Sequence, residues 1–144
     1  MKEVSQTLRY RALPHEVYQV VADFDRYPEF MSDHQAAQII ARSDRIVEVR
    51  FTIVIVKAFD FEVVHTMDPG RSIDWVHRKG PFKHCEGGWH FAPSADGLET
   101  DVRYRIAVDP GFFIPGFIVK SLIEGTLPRT LNTFKGRVEA LCGR

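Results

Sequence analysis

Cysteine is scarce in this chain, which has Cys85 and Cys142 as its two cysteines among 144 residues. Their separation fits neither a metal-binding motif nor a disulfide framework, so we expect two thiols in a reducing compartment. Excess charge is also missing, because 19 basic residues balance 19 acidic ones. A protein that neutralises phosphates needs a surplus of Lys and Arg to release counterions, so no nucleic-acid partner is predicted.

Long apolar runs are missing as well. Residues 1–6 are polar and lack the apolar stretch of a secretory signal. The longest apolar runs, 53–56 and 112–119, fall well short of the ~20 residues that span a bilayer. We therefore expect a cytoplasmic protein. A chain of this length buries enough surface to fold around one core, so residues 1–144 are predicted to form a single domain.

Alternation of apolar and polar residues dominates most of the sequence. Residues 3–12 alternate first, and Pro14 then opens a short amphipathic helix, followed by a second short helical segment over 26–31. Between residues 34 and 110, five turn signals separate about six further strands. This regular spacing is typical of an antiparallel meander in which one face of the sheet is apolar and the other is wet.

A helical pattern follows residue 111. One apolar stripe repeats at helical spacing and consists of Leu127, Leu131, Phe134, Val138 and Leu141. It predicts a helix over roughly 115–141, with a kink or a break near Gly125 because Pro128 removes a helical hydrogen bond. The fold class is thus predicted as α+β: a sheet of about seven antiparallel strands wrapped around a long C-terminal helix, with two short helices after the first strand.

One helix cannot fill the space beside so wide and twisted a sheet, so a cavity between sheet and helix is predicted. Alternation turns a set of aromatic side chains inward: Phe51, Phe59, Phe61, Trp75, Trp89, Phe91 and Tyr104. Each of them taken alone is more typical of core packing than of ligand contact. Trp89 is expected to line or floor the cavity, because Gly87 and Gly88 leave room beside it.

Two histidines share this apolar face. His65 lies in line with Met67, and His77 lies in line with Trp75, on strands joined by a turn at 68–70. If they meet across this hairpin, they can hold a carbonyl or hydroxyl group of a ligand or act as acid and base. A core histidine with satisfied hydrogen bonds is the more common explanation for either one.

Two further polar clusters are assigned no site. One cluster, His84, Cys85, Glu86 and His90, suggests a metal site, but alternation turns Cys85 away from both histidines, and three ligands must converge on one ion. We therefore predict no metal and no cofactor. The other cluster consists of Asp23, Asp25, Asp33 and His34. We interpret it as helix-end residues, where aspartates cap free N–H groups.

The order of the elements and two motifs carry a family resemblance. One motif is Tyr27-Pro28-Glu29-Phe30, and the other is Gly80-Pro81-Phe82-Lys83 followed by Gly87-Gly88-Trp89-His90-Phe91-Ala92-Pro93. In these features the whole chain resembles the START-like (SRPBCC, helix-grip) superfamily. It is most similar to the branch of coenzyme Q-binding proteins, which also contains ribosome-association toxin A and polyketide cyclases/dehydrases. The resemblance implies a pocket for a hydrophobic ligand.

Three functions are expected, in decreasing order of preference. The first is binding or carriage of a polyisoprenoid quinone, a lipid or an aromatic polyketide-like molecule in the cavity. The second is a cyclase or dehydratase that uses His65 or His77. It is disfavoured because Arg103 and Arg105, the type of residue that stabilises an enolate, are predicted to face solvent. The third, a toxin-like protein that associates with the ribosome, follows from the resemblance alone, and the neutral charge does not support it.

The ligand is predicted to pass between residues 27–31 and residues 112–119, with its polar end toward His65 and His77. Excess apolar side chains in 112–119 indicate burial against a partner, transient contact with a membrane surface or contact with a bound ligand. A buried first helical turn that closes the end of the cavity explains them equally well. The expected ligand contacts are Tyr27, Phe30, Met31, Phe51, His65, Met67, Trp75, His77, Trp89, Phe91, Tyr104, Phe113 and Phe117. Catalytic residues and the oligomeric state are not predicted.

Overall fold

The computed structural model describes residues 2–54, 58–111 and 115–143. Their elements are, in chain order, β1 (Lys2–Tyr10), α1 (Pro14–Val21), a 3-10 helix (Phe24–Glu29), β2 (His34–Ser43), β3 (Ile46–Val54), β4 (Ala58–Asp68), β5 (Ser72–Lys79), β6 (His84–Pro93), β7 (Thr100–Asp109) and α2 (Gly116–Cys142). The turn predicted at residues 57 and 58 falls partly outside the described residues. Phe113, an expected ligand contact, also lies outside them.

The seven strands form one antiparallel sheet in the order β1-β7-β6-β5-β4-β3-β2. Strands β2 to β7 pair with their neighbours in sequence, and β1 pairs with β7. Gly70 and Gly97, in the turns after β4 and after β6, have φ angles of 76° and 74°, which a residue with a Cβ rarely adopts. The predicted α+β helix-grip fold is therefore confirmed.

The long helix α2 packs its apolar stripe against the apolar face of the sheet. Leu131, Phe134 and Val138 are almost completely buried, as the stripe predicts. At one end of the contact, the Tyr10 hydroxyl donates a hydrogen bond of 2.7 Å to the Leu131 carbonyl oxygen. Leu141 is an exception to the predicted stripe, because the helix reaches past the core there and leaves this side chain exposed.

The sequence predicts a kink or a break near Gly125, and the break is wrong, because helix α2 continues through Pro128. Proline costs a helix one backbone hydrogen bond and about 3 kcal/mol. Burial of Leu127 and Leu131 on either side of Pro128 offsets this cost, because both side chains keep the helix on the core. Among the described residues, no helix is long and apolar enough to cross a membrane.

The segment between β1 and β2 covers one end of the apolar face. Helix α1 buries Val17, Val20 and Val21. The 3-10 helix that follows is anchored by Tyr27, whose hydroxyl donates to the Val21 carbonyl at 2.6 Å. The Tyr27 ring stacks on Phe51 of β3, with ring centroids 5.5 Å apart. The Tyr-Pro-Glu-Phe motif thus holds the segment between α1 and β2 against the sheet beside α2.

Candidate functional site

A cavity of about 520 Å³ lies between the sheet and α2. This volume falls within the range of roughly 300–1,000 Å³ that is typical of small-molecule pockets. Aromatic side chains make up much of the wall: Tyr27, Phe51, Phe61, Trp75, Phe82, Trp89, Tyr104, Phe117 and Phe134. Met31, Val63 and Ile106 add aliphatic surface between the rings. The wall is therefore suited to an apolar, ring-containing molecule.

Most of the expected ligand contacts do line this cavity. They are Tyr27, Met31, Phe51, His65, Trp75, Trp89, Tyr104 and Phe117. Trp89 is buried, as its alternation predicts, whereas Phe117 is 75% exposed and lies at the rim. Of the two glycines beside Trp89, Gly87 faces inward: a Cβ there would come within 2.5 Å of the Trp75 ring. Gly88 is on the other face, against Asp74.

Four expected contacts are placed elsewhere in the described structure: Phe30, Met67, His77 and Phe91. Met67 and Phe91 do face the apolar side of the sheet and are buried, but at the end that α1 covers, where Phe91 meets Tyr18. Phe30 packs between the Phe134 ring and the Arg137 guanidinium of α2. Alternation along a strand predicts the face of Met67, His77 and Phe91 but not their distance from a cavity. It does not apply to Phe30, which follows the 3-10 helix.

His77 shares a face with His65, since the hairpin register places His77 opposite Val63. It nevertheless takes part in a different set of contacts. Its Nδ1 atom accepts a hydrogen bond of 3.0 Å from the Cys85 backbone N–H. Its ring stacks on the Phe61 ring, with centroids 6.0 Å apart. His65 lines the cavity as expected, whereas His77 lies outside the lining, with its ring against the Phe61 ring of the wall.

His65 is a neutral hydrogen-bonding group in the wall. Its ring lies on the Phe24 ring, with centroids 4.0 Å apart, and its Nδ1–H donates to the Val47 carbonyl at 3.2 Å. Burial lowers the pKa of His65 to about 4. His65 lines the cavity. Because the neutral ring carries its proton on Nδ1, its Nε2 atom is a hydrogen-bond acceptor.

Asp33 and His34 also line the cavity, so their interpretation as helix-end caps is wrong. The 3-10 helix ends earlier, at Glu29, and His34 opens β2 opposite Ile53. The His34 Nδ1 atom lies 2.8 Å from Asp33 Oδ1. The pairing places His34 on the inner face, because Ile53 belongs to the apolar face of its strand, and this pairing is visible only in the folded sheet.

Asp33 remains ionised in the cavity wall. Burial by itself raises the pKa of Asp33, but the interaction with His34 and the backbone N–H of Asp33, with a smaller contribution from Arg129, outweigh it, so that the pKa lies below its usual value. Burial raises the pKa of the Tyr104 hydroxyl, and Asp33 adds to that rise. Tyr104 thus remains a hydrogen-bond donor, and the wall combines a fixed carboxylate with neutral donors and acceptors.

The outer face of the sheet carries the groups that the sequence assigned to solvent. Arg105 extends from β7 away from the cavity, with its Nη2 3.3 Å from Asp74 Oδ1. Arg103 is exposed on the same side.

Along β6, Cys85 is buried in the cavity wall, and burial raises the pKa of its thiol to about 12. His84 and His90 of the same strand lie on the outer face. The predicted alternation of β6 and β7 is therefore confirmed.

Sequence relatives extend over nearly the whole chain. Ribosome association toxin RatA of Vibrio cholerae is 29% identical over 146 residues, which cover 99% of each chain. The Pseudomonas aeruginosa protein of the same name is 26% identical over 129 residues, which cover 89% of this chain and 84% of the relative. Such identities relate the chains along their length.

Solved structures share the fold. A START superfamily protein from Mycobacterium smegmatis superposes with a TM-score of 0.86 at 24% identity, covering 96% of this chain and 98% of that one. The Zhui aromatase/cyclase from Streptomyces sp. R1128 gives a TM-score of 0.83 at 18% identity, covering 96% and 93%. The family model for polyketide cyclase / dehydrase and lipid transport matches residues 11–135. The chain therefore belongs to this family of START-like proteins.

Proposed function

We propose that this protein binds and carries a small apolar molecule in the cavity between the sheet and α2. The observation that carries the proposal is the cavity itself: about 520 Å³, with a wall built mainly from aromatic and aliphatic side chains. A lipid, an isoprenoid quinone or an aromatic polyketide-like molecule would each bury its apolar body against such a wall, and this burial would supply most of the binding free energy.

Carriage is favoured over catalysis by the state of the wall histidine. A general base works best with a pKa near the operating pH, and the pKa of His65 lies well below neutrality. The arginines that could stabilise an enolate, Arg103 and Arg105, extend from the other face of the sheet. A cyclase or dehydratase would have to rely on Asp33 and His34 instead, and chemical conversion of a bound probe would support that alternative.

Filling the cavity should abolish binding. Ile106 is half-buried and lines the cavity, so a larger side chain at this position can extend into the empty space. We expect wild-type protein to bind the uncharged dye Nile red saturably, and Ile106→Trp to weaken this binding by at least about tenfold. Fluorescence titration with Nile red measures both affinities.

A matched control adds the same indole outside the cavity. Val76 lies on the outer face of β5 and is 40% exposed, so Val76→Trp should leave the Nile red affinity within about twofold of wild type. Equal affinities in the two variants would show that the dye binds elsewhere. Absence of saturable binding to wild-type protein would contradict the proposed function.

Ribosome association is a second candidate, and the full-length similarity to proteins named for this property favours it. It requires a surface rather than a cavity, so the two functions can be tested separately. Purified protein should migrate with ribosomal particles in a sucrose gradient if the candidate is right, and Ile106→Trp should not change its migration. Protein that remains at the top of the gradient would exclude this candidate.

A further inference from the structure

Polar groups of the cavity wall gather around one carboxylate. Asp33 precedes β2, and its Oδ1 lies 2.8 Å from His34 Nδ1. Tyr104 on β7 and Arg129 on α2 line the same cavity as Asp33. The charge of Asp33 raises the pKa of the Tyr104 hydroxyl, and the Arg129 guanidinium lowers the pKa of Asp33. Three separate elements thus bring polar atoms to a single region of an otherwise mainly apolar wall. This region is the place where a polar end of a bound molecule can be satisfied.

The His34 ring holds Asp33 in position. It meets the Tyr27 and Phe51 rings edge-on, with centroids 5.8 and 5.2 Å away. With this ring packed, the Asp33 carboxylate has a fixed direction, and its side chain is 27% exposed. In the described structure, His34 is the side chain that donates to this carboxylate, so the carboxylate retains acceptor capacity toward the cavity.

The charge of this region disfavours a second anion. A ligand carboxylate beside Asp33 would place two like charges together in a partly desolvated site. Arg129 does not cancel this effect, because it is exposed at the rim, where water screens its charge, and its Nη2 donates to Thr126 Oγ1 at 3.4 Å. A hydroxyl group, by contrast, can donate to the Asp33 carboxylate and accept from the Tyr104 hydroxyl.

We propose that Asp33, positioned by His34, is the head-group site of this cavity and selects a molecule with an uncharged hydroxyl head, such as a phenol, over one with a carboxylate head. This inference rests on the proposed carriage function and deepens it by naming the chemical class of the ligand. The aromatic wall accommodates a flat ring next to the hydroxyl, and the aliphatic positions accommodate an alkyl chain.

Three matched probes test the selection: para-nonylphenol, its methyl ether para-nonylanisole, and para-nonylbenzoate. They share the ring and the alkyl chain and differ in the head group. The phenol head donates and accepts hydrogen bonds, the anisole head only accepts them, and the benzoate head carries a negative charge. We expect the phenol to displace Nile red from wild-type protein at the lowest concentration near neutral pH. The anisole should bind about threefold to tenfold more weakly, and the benzoate at least about tenfold more weakly, than the phenol.

Asp33→Asn should bring the phenol and benzoate affinities within about threefold of each other, because it removes the repelling charge and keeps an acceptor for His34. The control Asp44→Asn removes the same charge from the exposed turn between β2 and β3 and should retain the wild-type ratio. Arg129→Gln should lower the affinity for para-nonylbenzoate further and leave the affinity for para-nonylphenol unchanged. This variant provides a second test if Asp33→Asn does not fold.

The outcomes separate this inference from the function on which it rests. Tighter binding of benzoate than of phenol by wild-type protein would overturn the inference, and loss of that benzoate binding in Arg129→Gln would make Arg129 the head-group site. A phenol-to-benzoate ratio that Asp33→Asn leaves at the wild-type value would also overturn it. In both cases Nile red binding would still support carriage, whereas absence of Nile red binding would contradict carriage itself.

Discussion

Replacing Phe134 by alanine is expected to lower the free energy of unfolding by about 3–5 kcal/mol, the usual cost of deleting a buried phenyl group. Phe134 is 1% exposed. Its ring centroid lies 4.8 Å from that of Trp89, 5.1 Å from Tyr27 and 5.0 Å from Phe30. This one side chain therefore connects α2 with the sheet and with the Tyr-Pro-Glu-Phe segment. Urea unfolding monitored by circular dichroism measures this change in the free energy of unfolding.

The same helix provides a control. Phe117 is 75% exposed, so Phe117→Ala deletes an identical group that contributes little buried surface. Its effect on the free energy of unfolding should stay within about 0.5 kcal/mol. Similar losses in Phe134→Ala and Phe117→Ala would mean that α2 is not held on the sheet through Phe134.

The free energy of unfolding should also fall by about 3 kcal/mol as the pH drops from 6.5 to 4, because of His65. In the folded protein, burial keeps this imidazole neutral down to about pH 4, whereas the unfolded chain takes up the proton near pH 6.5. Between these values the unfolded state binds more protons, so acid favours unfolding. The contribution is complete above pH 6.5, is lost progressively below it, and is gone once the pH has fallen through the folded pKa of about 4.

Two variants isolate this contribution from other titrating groups. His65→Gln keeps a neutral donor for the Val47 carbonyl and removes the titration, so its stability should change less over this pH range than that of wild type. His90→Gln removes an imidazole that is half-exposed on the outer face and should follow the wild-type curve. Urea unfolding at several pH values gives the three curves. Coinciding curves for His65→Gln and wild type would refute the role of His65.

Much of the fold could be predicted because alternation and turn signals are local. The pleat of a strand sends successive side chains to opposite faces, and this alone correctly placed Trp75, Trp89 and Tyr104 on the inner face and Arg105 on the outer one. The turn at 68–70 likewise set the hairpin in which His65 and His77 share a face. Local rules fail at Pro128, where burial of neighbouring side chains outweighs a missing hydrogen bond.

The sequence by itself determined the elements, their order and the apolar face of each strand, since these depend on neighbours in the chain. Only the tertiary structure decided which part of that face is empty. Helix α1 covers the end with Met67 and Phe91, and the space beside α2 remains open. Likewise, Asp33 and His34 became part of the cavity because the chain turns inward after the 3-10 helix and pairs with β3. Both outcomes depend on contacts between residues far apart in the chain, which no local pattern encodes.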